Sequence, residues 1–118
     1  MCLSIFTTAF FRLFSEFDQL IYFVITTEAD KKNASKIANL LLLEKLVPCV
    51  TFKNVESHFW WRGEINQSKE VQLIIKCKEA NINKVCKKIA ECHSYEVPEI
   101  ICFPVSANKD YHHWVNSF

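Results

Sequence analysis

The middle of the chain constrains the fold more than any other part. From Cys49 to Trp61 runs an extended stretch carrying Val50, Phe52, Val55, Phe59, Trp60 and Trp61. From Lys69 to Lys78 a second run places Val71, Leu73, Ile75 and Cys77 on one face, with Gln72 and Lys76 on the other. Between them stand Arg62-Gly63 and Asn66-Gln67-Ser68, and Gly63 is the only glycine in the chain. A lone glycine there predicts a backbone position with positive φ, in a bulge or in the turn of a hairpin. The first arm approaches twice the usual five or six residues of a strand. An edge so long and so aromatic is an aggregation hazard in a monomer, so its far end is expected to pair with another subunit by strand addition. Phe59, Trp60 and Trp61 are the expected anchors of that interface.

The flanking segments fit around this hairpin. Leu20 to Thr27 is a continuous run of β-formers, as a central strand covered on both faces reads. Asp30 can cap a helix whose apolar stripe is Ala34, Ile37, Ala38, Leu41, Leu42 and Leu46, and Pro48 stops it. Asn81 or Asn83 opens a second helix, with Ile82, Val85, Cys86, Ile89 and Ala90 inward. A short strand, Glu99 to Phe103, then lies between Pro98 and Pro104, as an edge strand tolerates. Asn108 or Asp110 starts a terminal helix with Tyr111, Trp114, Val115 and Phe118 on one side. The order β-α-β-β-α-β predicts an α+β ferredoxin-like sandwich: an antiparallel sheet, helices on one face and an extra C-terminal helix.

Composition closes off several functions. A chain of 118 residues is one domain with enough length for a core, and a net charge of +1 with interspersed Lys and Glu offers no basic field for nucleic acid. The same strand order serves RNA-recognition domains, but strand three here presents Gln72, Ile74 and Lys76 rather than stacking rings. Cys49, Cys77, Cys86, Cys92 and Cys102 fall in apolar patterns without a C-x-x-C pair, which reads as buried free thiols in a reducing cytoplasm. Residues 1–19 form an N-terminal extension ahead of the domain at 20–118. Its stripe of Phe6, Phe10, Leu13, Phe14 and Phe17 suggests a partly disordered segment or an amphipathic helix, too short and too polar to span a membrane.

The candidate chemistry concentrates in the connector His93-Ser94-Tyr95-Glu96-Val97-Pro98-Glu99-Ile100. Pro98 stiffens it, and Tyr95 and Glu96 are expected where a neighbouring subunit could meet them. No nucleophile with a complete triad and no Gly-rich phosphate loop accompanies its carboxylates, so an enzyme is not expected.

Four landmarks resemble the CutA family, the divalent-cation tolerance proteins. They are Thr26-Thr27 leading into a helix with Lys36-Ile37-Ala38 and Glu44-Lys45-Leu46; Phe59 to Ile65 with its Trp60-Trp61-Arg62-Gly63; Glu70-Val71 before Ile74-Ile75-Lys76; and His93 with Tyr95 to Ile100, followed by Asp110-Tyr111 and Trp114. The resemblance covers Leu20 to Phe118. It implies a homotrimer similar in architecture to the PII signalling proteins, and a link to tolerance of copper and other divalent metals. It also implies Cys92, His93 and Glu99 as metal ligands, a thiolate, an imidazole and a carboxylate that suit copper as a weak, exchangeable site. Two departures bear on that set: Thr26 stands where some members have Cys, and Ser94 where many have Pro. The alternative is structural, with Cys92 in the core, His93 bonded to a neighbouring group and Glu99 paired with a lysine. In that case the trimer is a non-catalytic scaffold, or a sensor binding a small molecule between subunits.

Overall fold

The computed structural model describes residues 19–118. Strand β1 (Gln19–Glu28) leads into helix α1 (Lys31–Leu43), then come β2 (Cys49–Trp61), β3 (Glu64–Cys77), α2 (Ile82–Cys92), β4 (Ile101–Ala107) and α3 (Lys109–Asn116). The four strands form one antiparallel sheet in the order β2-β3-β1-β4, so β1 is central, as its unbroken run of β-formers requires. This is the expected ferredoxin-like sandwich with its terminal helix. The extension and its phenylalanine stripe lie outside the described residues, up to Gln19, which already pairs with Ala107.

Alternation along β1 divides the core in two. Val24 joins Leu73, Ile75 and Cys77 on the face covered by Ala34, Ile37, Ala38 and Leu41 of α1 and Val85 and Ile89 of α2. Fully burying each of the Val, Leu and Ile side chains contributes about 1.5–3 kcal/mol. Ile21 and Phe23 point to the opposite face, where α3 packs through Val115 and Tyr111 against Ala107 and Val105. Helices therefore cover both faces, with α3 alone on the second.

Local chemistry sets the ends of α1. The Asp30 side chain accepts from the Asn33 N–H at 2.8 Å, the cap expected from sequence. At the other end Leu46 N–H donates to the Leu41 carbonyl and Lys45 N–H to that of Leu42, a Schellman closure that puts Lys45 at φ 56°. Leu46 thus packs beyond the helix rather than within it. Asn81 precedes α2 without capping it; its amide reaches back 2.9 Å to the Leu46 carbonyl and ties the two helices together.

The hairpin is longer and tighter than the sequence suggested. Arg62 (φ 51°) and Gly63 (φ 80°) form a two-residue turn of the I′ kind, and pairing runs without a break from Trp61↔Glu64 to Cys49↔Lys76. Asn66-Gln67-Ser68 therefore belong to β3, not to the turn. Their polarity reflects the lack of a core at this end, and the Asn66 amide donates to the Glu64 and Trp61 carbonyls at 3.2 and 3.4 Å. Strand β4 also differs, starting at Ile101 and running through Pro104, which sits opposite Tyr22. An edge strand can accept a proline because its outward side needs no N–H donor.

Candidate functional site

The connector between α2 and β4 crosses the outer end of β1 and meets the lower hairpin, leaving an open groove of ≈ 620 Å³. Alternate residues of both hairpin arms, Ser57, Phe59 and Trp61 with Asn66, Ser68 and Glu70, supply one wall. Ser94, Tyr95, Glu96, Val97 and Glu99 of the connector supply the other, and Thr27 and Ala29 complete the lining.

A polar network fixes the connector. Glu28 ends β1 with its side chain wholly buried, and it accepts from Ser94 N–H at 3.0 Å, from Ala29 N–H at 3.1 Å and from the Ser94 hydroxyl. The His93 side chain is also 0% exposed. Its Nδ1 accepts from Tyr95 N–H at 3.1 Å, so the hydrogen-bond pattern assigns the ring proton to Nε2, which lies 3.1 Å from Thr26 Oγ1 and donates to it. Glu28 Oε2 is 3.5 Å from Nδ1; that contact becomes an ion pair only in a protonated ring, which would have to release Tyr95 N–H. One turn further on, the Tyr95 hydroxyl donates to the Glu70 carboxylate. Burial, then this bond and the carboxylate charges of Glu70, Glu28 and Asp30, hold the phenol well above its ordinary pKa.

Serine, histidine and glutamate are thus adjacent, but they are not wired for hydrolysis. The Ser94 hydroxyl donates to Glu28 and not to His93, and both imidazole nitrogens are committed elsewhere.

The structure does not gather Cys92, His93 and Glu99 into a metal centre. Among the described residues no three His, Cys, Asp or Glu side chains come together as a ligand set. The reason is local: Cys92 packs against the main core, both His93 nitrogens are engaged, and Glu99 lines the groove. Within one subunit these residues do not fit a bound metal ion. Thr26 touches His93 directly through its hydroxyl. The five described cysteines are all free; Cys77 is buried, Cys49, Cys86 and Cys92 are partly buried, and Cys102 is exposed rather than buried as its apolar pattern suggested.

Of the expected interface residues, Phe59 and Trp61 line the groove with Tyr95 and Glu96, whereas Trp60 points the other way and is 72% exposed beside its cross-strand partner Ile65. Sequence reading missed Glu28 and Glu70 as site residues. Glu28 carried a faint signal, a carboxylate closing an apolar strand; Glu70 stood out only as part of the Glu70-Val71 landmark, with nothing to mark its side chain as part of a site.

Fold and groove together define a small sandwich of the PII-like kind, with a protruding hairpin. A sequence profile described as CutA1 divalent ion tolerance protein matches residues 22–117. The divalent-cation tolerance protein CutA of Pyrococcus horikoshii is 37% identical over 93 residues, 78% of this chain and 91% of its own. Among solved structures, the periplasmic divalent cation tolerance protein CutA from Archaeoglobus fulgidus superposes with a TM-score of 0.78 at 30% identity, covering 80% of this chain and 94% of the other. The PII-like protein CutA from Nostoc sp. PCC 7120 gives 0.77 at 29%, covering 81% and 94%. The chain belongs to the CutA1 divalent ion tolerance family. No helix among its described residues is long and apolar enough to cross a membrane.

Proposed function

We propose that this protein is a non-catalytic, PII-like homotrimer of the cytoplasm, acting in divalent-ion tolerance through small-ligand binding in the groove. The observation that carries the reading is the groove itself, whose connector wall is held in place by the buried Glu28 network and by the Tyr95 bond to Glu70. Strand addition at the far end of the hairpin would bring a neighbouring subunit beside Phe59, Trp61, Tyr95 and Glu96. Support for the non-catalytic part is the wiring of Ser94 and His93, and support for the cytoplasm is the free thiol set, although the Archaeoglobus fulgidus relative is described as periplasmic.

Weak binding of copper or another divalent cation by Cys92, His93 and Glu99 is the second reading. The family description as divalent ion tolerance proteins supports it, whereas the Thr26 hydroxyl that engages His93 Nε2 counts against it. Calorimetric titration of copper(II) into the purified protein and into Cys92→Ser and His93→Ala separates the two. Unchanged copper affinity in both variants removes the metal reading. Light scattering at micromolar concentration is expected to give a trimer; a monomer mass removes the inter-subunit groove.

A further inference from the structure

We propose that the groove selects a small organic cation bearing an ammonium or guanidinium group; the inference rests on the reading of the groove as a ligand site. Three carboxylates line it, Glu70, Glu96 and Glu99, and the buried Glu28 stands behind the connector. They are not gathered tightly enough to coordinate an ion, so they act through their field on a charge spread over a larger group. Between them stand the rings of Phe59, Trp61 and Tyr95, whose faces attract cations. Glu70 is 8% exposed, with one carboxylate oxygen accepting from Tyr95, so the negative charge at the inner wall is fixed in position and poorly solvated.

The chain already performs this recognition at the rim. The Arg62 guanidinium lies 5.6 Å from the centroid of the Trp61 ring and 3.8 Å from the Glu96 carboxylate. That side chain is 78% exposed and so loosely held that a free cation could take its place. Arg62 thus reports, from within the protein, which chemistry the aromatic and acidic wall accepts. An anion would be repelled by the three carboxylates, and a neutral ligand would gain nothing from their charge.

Calorimetry on the full chain with three probes of similar length tests the inference: agmatine as the cation, 1-pentanol as the neutral compound and glutarate as the anion. Agmatine is expected to bind saturably and to weaken with added salt, while the other two give no saturable heat. Glu99→Gln, at an exposed position, is expected to weaken agmatine about tenfold, and Glu70→Gln by at least as much. Arg62→Gln is expected to tighten it by a few-fold, since it frees Trp61 and Glu96; a purely structural arginine would produce no gain. Glutarate or 1-pentanol binding as well as agmatine overturns the cation while leaving the groove as a ligand site. Absence of binding by all three removes both. Agmatine affinity unchanged in Glu99→Gln and Glu70→Gln places the ligand elsewhere and overturns the inference. So does copper(II) binding that those substitutions abolish where agmatine gives no heat.

Discussion

Glu28 shows how one residue can organise a site without touching the groove. Its carboxylate is the acceptor for two backbone N–H groups and the Ser94 hydroxyl, so it fixes where the connector leaves α2. Glu28→Ala would leave those donors facing a cavity, at about 1–3 kcal/mol for each one that water cannot reach. The expected loss is about 2–4 kcal/mol, read as a lowered denaturant midpoint with unchanged slope. Tyr95→Phe removes one bond and should cost about 1 kcal/mol at neutral pH. The phenol also predicts a pH effect. Its pKa is raised above the ordinary 10 in the folded state, so the fold favours the protonated form. That contribution is fully present below pH 10 and is lost as pH rises beyond it. Stability measured from pH 9 to 12 should fall more steeply in the native chain than in Tyr95→Phe; parallel curves would refute the assignment. Thr26 acts in similar terms, because its hydroxyl accepts a hydrogen bond from His93 Nε2 and so occupies a nitrogen that a metal ion would need.

At the scale of elements, two turns contrast. Gly63 takes φ 80° with open space where a Cβ would sit, so the penalty of Gly63→Ala is conformational alone, about 1–2 kcal/mol. Lys45 takes φ 56° at the end of α1, where glycine is the usual residue. Lys45→Gly should therefore stabilise the protein by about 0.5–1 kcal/mol, detectable as a raised melting temperature, and a fall would show that the lysine makes a contact worth more than the strain. The same contrast marks what the sequence could reveal. The glycine announced its turn, whereas nothing in Glu44-Lys45-Leu46 announced the helix end, since that closure is made by backbone bonds to Leu41 and Leu42. Strands with a buried face were legible from Val71, Leu73, Ile75 and Cys77. Asn66-Gln67-Ser68 were not, because a strand with no core beneath it loses the alternation that identifies it. Glu28 and Glu70 escaped for a related reason: a carboxylate becomes a site only through partners far away in sequence, Ser94 and Tyr95.

At the scale of the whole molecule, the long hairpin is what sets the dimensions and what the proposed trimer would use. Its radius of gyration is 17.7 Å, against about 13 Å for a compact domain of a hundred residues, and its longest dimension is 58 Å. Among the described residues, the outer pairs of the hairpin lie beyond the core cluster that the helices cover. Trp60 (72% exposed) and Ile65 (65%) form a cross-strand apolar pair at the tip, on the face away from the groove. In the proposed trimer these two residues would supply an apolar contact, and a large aromatic at an interface commonly accounts for about 2 kcal/mol or more of association. Trp60→Asp places a charge there without altering the turn at Arg62-Gly63 or the residues lining the groove. Sedimentation should show the mass falling from three times 13.8 kDa toward 13.8 kDa at micromolar protein, with far-ultraviolet circular dichroism preserved because the core around Leu73 and Ile75 is remote. If the trimer survives, the apolar pair is not what joins the subunits, and the edge hydrogen bonds of β2 must suffice. If agmatine binding survives dissociation, the groove is complete within one subunit; if it vanishes with the trimer, a neighbouring chain supplies part of the wall.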